Sequence, residues 1–295
     1  MKRDNRAVMR TQAAAALLFV GAVAAGSLTD HGRGGAPPVA PAVLAGDFHV
    51  HGMPGDGALP VWEIQREAAR RGLDVIAITN HNDNRSFRLA SATGQLQPYP
   101  IVIPGQELTT GGFHMVAIGV RTLIDPYLPA HEAIARIHAQ GGVAIAAHPV
   151  SRSWTENDSE ALRTLDGSEM AHPLLLTEPE REGELFEFRH RAQRVNPDIA
   201  PIGSTDFHFG SPLGLFRTYL IVDEVSEAGA LEAIRRGRTV ASGPGDRLVG
   251  AAEHIATVRA HLGPARAANF HTAAAWSAIA ALFALSIVVL ADVRS

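Results

Sequence analysis

Histidines recur along this chain, nearly all of them directly after, or within, short apolar runs, and three acidic residues add further possible metal ligands. These residues are His49, His51, Asp56, His81, Glu107, His114, His148, Asp206 and His208. Apolar runs such as 74–79 and 143–147 are typical of buried β-strands. Because imidazole and carboxylate together suit a cation such as Mn, Fe or Zn, the set predicts a site for more than one metal ion.

The spacing of these residues indicates how they could share ions. His49 and His51 are separated by one residue, so their side chains point to the same side of a strand. Asp206 and His208 repeat that spacing. Glu107 follows Pro104 and Gly105 at a predicted strand end, and its carboxylate could bridge two ions held within about 4 Å of each other. Paired ions of this kind are typical of hydrolases.

The alternation of apolar strands with amphipathic helices predicts an α/β fold for residues 42–250. The predicted helices, each followed by a glycine, span 60–71, 131–140 and 227–236. Alternation of this kind predicts a parallel sheet closed into a barrel, with the helices outside. In such a barrel the ends of successive strands meet, so we expect the histidines to converge.

Composition limits the classes of function. With 295 residues, of which 46% are hydrophobic, the chain can bury the core of one large domain. The formal net charge is -4 and no stretch forms a basic stripe, so no nucleic-acid partner is expected. The absence of cysteine excludes disulfides and thiolate metal sites.

The two ends of the chain differ from the middle in composition. Basic residues followed by the apolar run 13–25 predict a signal peptide or signal anchor at 1–26, before a Gly/Pro-rich linker at 27–41. Residues 251–272 are predicted to form a connector with solvent-facing histidines. Residues 273–291 carry no charge and would form a transmembrane helix about 28 Å long. We therefore expect a membrane-anchored protein with its domain outside the cytoplasm; the alternatives are an N-terminal extension of a cytoplasmic protein and an Ala-rich core helix.

Several motifs together resemble the PHP (polymerase and histidinol phosphatase) superfamily. They span about residues 46–245 and read GDFHVH at 46–51, GLDVIAITNHN at 72–82, GQE at 105–107, AHP at 147–149 and GSTDFH at 203–208. The HxH start and the DxH end at this separation are specific as a pair, whereas each motif alone is weak. The segment 233–244 is similar to the carbaryl-hydrolase-like (CehA/McbA) branch of the superfamily.

The resemblance implies a distorted (β/α)7 TIM-like barrel that holds two or three divalent ions, Mn, Fe or Zn. One ion would take His49, His51, Glu107 and Asp206, a second Glu107, His114 and His148, and a third Asp56, His81 and His208. Asp56 has an alternative, because a carboxylate between two glycines is also typical of an ordinary turn. Superfamily members often have threonine at Gly52 and aspartate at Asn80, and we expect Asn80 to orient a ligand histidine by a hydrogen bond.

The resemblance also implies a metal-dependent hydrolase that uses a metal-bound hydroxide to cleave a small-molecule ester, most simply a phosphoester. Glu107, Asp206 and His208 would serve catalysis. Arg152 and Arg217 are candidates for binding an anionic substrate, with solvated arginines as the alternative. A carboxylic or carbamate ester hydrolase and a non-catalytic metal-binding surface protein stay open as other functions.

Three further polar residues lie near predicted strand ends but belong to no metal motif. Asp47 is expected to orient a ligand or to cap its strand. Glu169 and His172 are expected at the surface, with substrate contact as the alternative. Loops predicted at 82–100 and 150–198 would line the mouth of the barrel, and their residues identify no substrate.

Overall fold

One sheet of ten strands runs through this computed structural model, which describes Leu17 and residues 37–155, 158–208, 212–243, 245 and 247–262. The strands are β1 Ala42–Val50, β2 Val75–Ile78, β3 Ile101–Thr109, β4 His114–Ile118, β5 Val143–Ala146, β6 Gly167–Ala171, β7 Ala200–Gly203, β8 Arg217–Val222, β9 Thr239–Ser242 and β10 Leu248–Gly250. Their order across the sheet is β10-β9-β8-β1-β2-β3-β4-β5-β6-β7.

The two ends of the sheet approach each other through threonine hydroxyls. Thr218 of β8 accepts a hydrogen bond from the main-chain nitrogen of Gly203 in β7 and donates one to its oxygen, both at 2.9 Å. Thr239 of β9 donates to the oxygen of Pro201 in β7 at 2.9 Å. Because β7 is one end of the sheet and β8 and β9 lie near the other, these contacts curl it into a nearly closed barrel. The α/β barrel is therefore present.

The barrel is not wholly parallel, and in this respect the sequence-based prediction is wrong. β1, β2 and β3 run parallel, as do β5, β6 and β7. β4 runs antiparallel to β3 and β5, and β8 runs antiparallel to β1 and β9. For β4 the reason is the length of the connection: only residues 110–113 join it to β3, whereas a parallel crossover needs a dozen or more residues.

Helices pack against the sheet. They are α1 Val61–Arg70, α2 Arg85–Ala92, α3 Ala130–Ala139, α4 Ser159–Thr164, α5 Leu174–Thr177, α6 Glu182–Gln193, α7 Glu227–Arg235 and α8 Ala252–Leu262, with a 3-10 turn at Pro179–Arg181. α1, α3 and α7 confirm the three predicted helices, and α1 buries Val61, Ile64 and Ala68 as their spacing predicts. α2, α4, α5, α6 and β6 occupy the segments predicted as loops, so that prediction is wrong.

Two kinds of apolar cluster support the barrel. One cluster joins side chains from β1, β2, β3, β4, β5, β7 and β8, among them Leu44, Phe48 and Ile103, to the apolar side of α7. Others lie between strands and helices, such as the cluster that contains Ile134 of α3 and Ala144 of β5. Full burial of one large apolar side chain contributes about 1.5–3 kcal/mol, so these clusters hold the strand ends on a rigid frame.

α8 takes the place of part of the predicted connector 251–272. Its Val258 is fully buried and clusters with Val43 and Val240, so this helix packs on the sheet instead of linking two segments. Ile255 and Val258 lie three residues apart, and this helical spacing is the signal that the connector prediction missed.

Both predicted membrane-associated segments fall beyond what the structure describes. The predicted signal segment 1–26, apart from Leu17, and the predicted helix 273–291 lie outside the described residues. Among the residues that are described, no helix has the length and apolar character needed to cross a membrane.

Candidate metal centre

One rim of the barrel gathers every residue of the predicted metal set. The residues come from the ends of β1 (His49, His51), β2 (His81), β3 (Glu107), β5 (His148) and β7 (Asp206, His208), and from the segment between β1 and α1 (Asp56). His114 differs, because it is the first residue of β4. Since β4 runs antiparallel to β3 and β5, its beginning lies beside their ends. His114 therefore reaches the same rim from the opposite chain direction.

Four buried atoms at the centre of this rim make no well-formed hydrogen bond, although His81 Nδ1 lies 2.6 Å from one of them, Glu107 Oε2. They are His49 Nε2, His51 Nε2, Glu107 Oε2 and Asp206 Oδ1, called the first group below. The two nitrogens lie 3.3 and 3.6 Å from the Glu107 oxygen, and 3.3 and 3.2 Å from the Asp206 oxygen. Four ligands in a tetrahedron at about 2.1 Å from an ion stand about 3.4 Å apart. The distances and the missing hydrogen bonds both fit a metal ion.

Hydrogen bonds at Nδ1 suit three histidines of the rim to bind a cation through Nε2. Nδ1 of His49 lies 3.0 Å from Glu169 Oε1, and Nδ1 of His51 lies 3.2 Å from Asp56 Oδ1. Nδ1 of His208 lies 3.1 Å from the main-chain oxygen two residues before it. Because an ionised carboxylate or a carbonyl only accepts, Nδ1 carries the proton of each neutral ring and the lone pair lies on Nε2.

A second group lies on the other side of Glu107. Its Oε1 is 3.0 Å from His114 Nδ1 and 3.5 Å from His148 Nε2. The two oxygens of this one carboxylate therefore face two different groups. That is the arrangement needed for a carboxylate that bridges two ions.

A third group surrounds Asp56. Its Oδ2 lies 3.4 Å from His81 Nε2 and 3.6 Å from His208 Nε2, and His51 also belongs to the group. Together, the three groups contain all three ligand sets that the motif resemblance implies. Their role as metal ligands stays a prediction, which the geometry now makes specific.

Two polar residues, Asn80 and Asp47, lie beside these groups without belonging to them. Asn80 donates from Nδ2 to Asp56 Oδ1 at 3.0 Å, while the main chain of Gly52 holds its amide at 2.6 and 3.1 Å. Asn80 thus orients a carboxylate, and the prediction that it orients a histidine is wrong. Asp47 is fully buried and accepts from the main-chain nitrogen of Gly214 at 3.0 Å. Burial raises the pKa of Asp47 to about 6.

Glu169 in β6 and His172 directly after it also lie at this rim, and the prediction that they lie at the surface is wrong. Their side chains are 1% and 8% exposed. His172 forms a fourth group with His49, His148 and Asp206, while Glu169 also accepts from the main-chain nitrogen of His148 at 2.6 Å. The apolar signal of β6, with sequence GSEMA, is weak. The position of this segment between β5 and β7 along the chain is the signal that predicts a strand there.

A cavity of about 250 Å3 opens beside the second group. It is lined by His114, His148, Val150, Arg152, Ser153, His172, Leu174 and Asp206. Arg152 pairs with Glu178 at 2.8 and 3.1 Å, and its side chain is 56% exposed. Arg217 instead donates from Nε to the main-chain oxygen of Gly214 at 2.8 Å and does not line the cavity. Arg152 is thus the better placed of the two predicted substrate-binding arginines.

The buried charges of the rim shift each other's proton affinity. Burial opposes protonation of His49, but the charges of Asp206 and Glu107 outweigh it and raise the pKa of His49 well above its usual value. Burial opposes ionisation of Glu107 too, yet the neighbouring His49 holds the pKa of Glu107 well below its usual value. The pKa of Asp206 is lowered in the same way. Without metal, His49 therefore keeps a proton beside ionised carboxylates.

Metal affinity is expected to rise with pH, because an ion must displace the proton of His49. Glu107 and Asp206, with lowered pKa values, are already ionised and release none. Below the pKa of His49, the apparent dissociation constant should fall about tenfold per pH unit for each proton displaced. Calorimetric titration with Zn2+ or Mn2+, in buffers of different ionisation enthalpy, measures the affinity and the protons released. A constant affinity between about pH 6 and pH 8 would contradict this expectation.

Comparison with known sequences finds a partial relative. No protein-family model matches this chain. An uncharacterized protein of Methanocaldococcus jannaschii is 33% identical over 88 residues, which cover 30% of this chain and 51% of that protein. The chain thus spans about half the length of the curated relative that it matches.

Comparison with solved structures identifies the fold. A two-domain protein from Bacteroides vulgatus, containing a predicted PHP-like metal-dependent phosphoesterase, has a TM-score of 0.54 and 24% identity, covering 71% of this chain and 67% of that one. PsfC from Pseudomonas syringae has a TM-score of 0.50 and 13% identity, covering 83% of this chain and 99% of that one. Likeness at these identities establishes the fold alone. The part of the chain that the structure describes therefore has a PHP-like fold.

Proposed function

We propose that this chain is a metal-dependent hydrolase that cleaves a phosphoester of a small molecule. The observation that supports it most directly is the first group, whose four atoms are buried, unpartnered and separated by nitrogen-to-oxygen distances of 3.2 to 3.6 Å. A buried polar atom without a partner costs about 1–3 kcal/mol, so such atoms are rare. When both Nε2 atoms are unprotonated, the four atoms are all acceptors and cannot satisfy one another, and without metal a proton on His49 meets this need only in part. A cation satisfies all four at once.

The side chains of the rim have distinct parts in this proposal. Divalent ions bound here would activate water and neutralise charge on the attacked group. Glu107 is placed to connect the first and second groups, and Asp206 connects the first and fourth. His208 would complete the third group. His49, His51 and Glu107 are fully buried, whereas the cavity beside the second group and the partly exposed side chains of the third group are open to a substrate.

The cavity beside the second group favours a small anionic substrate. Its volume of about 250 Å3 is below the roughly 300–1,000 Å3 of sites for drug-sized ligands. Arg152 carries a guanidinium that can pair with phosphoryl oxygens. Val150 and Leu174 add an apolar part to the wall, which suits an organic leaving group.

A carboxylic or carbamate ester is the second candidate substrate. It follows from the resemblance of residues 233–244 to the carbaryl-hydrolase-like branch. The described residues of that segment lie at the end of α7 and in β9, and they neither join the four groups nor line the cavity. Phosphoester cleavage therefore has the stronger support from the site itself.

Metal removal and reconstitution test the proposal. Full-length protein would be treated with a chelator and assayed with p-nitrophenyl phosphate, bis(p-nitrophenyl) phosphate and p-nitrophenyl acetate, before and after addition of Mn, Fe or Zn. We expect no turnover without metal and metal-dependent turnover of a phosphoester. Turnover of the acetate alone would favour the second candidate, and bound metal without any turnover would favour a non-catalytic metal-binding protein. If no metal binds, the proposal fails.

Attachment to a membrane is a separate proposal, and the sequence alone supports it. The segments that carry it, 1–26 and 273–291, lie beyond the described residues apart from Leu17. If both act as their composition predicts, the barrel works outside the cytoplasm on substrates that it meets there.

A further inference from the structure

His172 lies in the wall of the cavity with one ring nitrogen unpartnered. Its side chain is 8% exposed, and its Nε2 has no hydrogen-bond partner. That nitrogen lies 3.5 Å from Asp206 Oδ2 and 3.9 Å from Glu169 Oε2, too far for a strong hydrogen bond to either. His172 lines the cavity beside His148, and its Nε2 is buried in that wall.

The opposite nitrogen decides where the ring proton of His172 lies. The main-chain N–H of Leu174 donates to Nδ1 of His172 at 3.0 Å. An N–H group can only donate, so Nδ1 must accept and the proton of the neutral ring lies on Nε2. His49 has the reverse arrangement, because its Nδ1 faces the carboxylate of Glu169.

This one hydrogen bond separates His172 from the histidines suited to bind metal. By distance, His172 belongs to the fourth group, with His49, His148 and Asp206. Ligation through Nε2 would require that nitrogen to lose its proton while Nδ1 has none, which would leave an anionic ring. His172 is therefore a buried hydrogen-bond donor in the wall of the cavity.

We propose that His172 binds the substrate, with its Nε2–H donating a hydrogen bond to an oxygen of the phosphoryl group. This inference rests on the proposed phosphoester hydrolase and assigns it a further binding residue. A phosphoryl oxygen is a charged acceptor, and hydrogen bonds to charged acceptors are roughly twice as strong as neutral ones. Arg152 lines the same cavity, so both donors belong to the wall around the space for one anionic group.

Two substitutions of His172 distinguish the effect of its Nε2–H group from the effect of the rest of the ring. In His172→Asn, the amide oxygen can take the place of Nδ1 and accept from Leu174, but no group remains at the position of Nε2. In His172→Gln, the longer side chain can carry an N–H group to that position. His261→Asn makes the first change at an exposed position of α8 and serves as the control.

Binding of inorganic phosphate to the metal-loaded, full-length protein tests the proposal by calorimetry, with metal content measured by elemental analysis. We expect His172→Asn to bind phosphate about tenfold more weakly at unchanged metal content, because one hydrogen bond to a charged group is lost. His172→Gln should recover part of the loss, and His261→Asn should match the wild type. Loss of metal in His172→Asn, or an unchanged phosphate affinity, would overturn the proposal.

The position of the ring proton is a second measurement, which needs no variant. Spectra of the wild-type protein labelled with 15N-histidine should show His172 protonated on Nε2, and a proton on Nδ1 instead would overturn the inference. A wild-type protein that binds phosphate but hydrolyses no phosphoester would defeat the proposed function and leave the binding role of His172 standing. A metal-loaded protein that binds no phosphate would defeat that role.

Discussion

Replacement of Glu107 by glutamine is expected to lower metal-dependent hydrolysis about a thousandfold. Glu107 is fully buried, and its two oxygens lie within 3.6 Å of ring nitrogens of His49, His51, His114 and His148. Glutamine keeps one oxygen but replaces the other with an NH2 group, which donates hydrogen bonds and repels a cation. A loss of about 4 kcal/mol of transition-state stabilisation corresponds to this factor.

The Glu107→Gln experiment measures kcat and the number of ions per chain together. We expect both to fall, because one carboxylate serves the first and second groups. Glu132→Gln makes the same change at an exposed position of α3 and should alter neither. Thermal denaturation of each variant would show that it folds. Wild-type activity with full metal content in Glu107→Gln would contradict the bridging role.

Replacement of Glu169 by glutamine is expected to weaken metal binding about 10- to 100-fold, although Glu169 belongs to none of the four groups. Its Oε1 lies 3.0 Å from Nδ1 of His49 and accepts from Ser204 Oγ at 2.6 Å, while its Oε2 accepts from the main-chain nitrogen of His148 at 2.6 Å. Glutamine has only one acceptor oxygen, so at least one of these partners loses its acceptor. The negative charge that makes His49 a better ligand is lost as well.

Competition with a chromophoric chelator measures the affinity of Glu169→Gln for Zn2+. Glu187→Gln, at an exposed position of α6, is the matched control. The charge of Glu169 also helps to raise the pKa of His49, so in the variant the rise of affinity with pH should level off at a lower pH. A purely structural defect would not move that pH. An unchanged affinity and pH profile would rule out a positioning role for Glu169.

The metal set could be predicted from the sequence because strand geometry and ligand chemistry are local properties. His49 and His51 share one side of β1 through the two-residue period of a strand, whatever surrounds them. Helices α1, α3 and α7 follow from equally local apolar spacing. The antiparallel direction of β4 follows from the short segment 110–113, which is also a local feature of the sequence. The expectation of a wholly parallel barrel took no account of it.

The burial of Glu169 and His172 at the rim could not be predicted from local signals. β6 has five residues, and three of them are glycine or polar. It forms a strand because β5 and β7 pair with it on either side. The partner of Asn80 was missed for a similar reason, because Asp56 approaches it only when β1 and β2 pair in the sheet.

The sequence by itself determined which side chains could bind metal and that strand ends would carry them. Only the tertiary structure decided which ring nitrogen of His49 and of His172 carries the proton. Glu169, which fixes the proton of His49, lies 120 residues further along the chain, whereas the main chain of Leu174 fixes that of His172. A hydrogen-bond partner sets the position of the ring proton, and partners are chosen by folding. One residue type thus supplies a candidate metal ligand at His49 and a candidate substrate donor at His172.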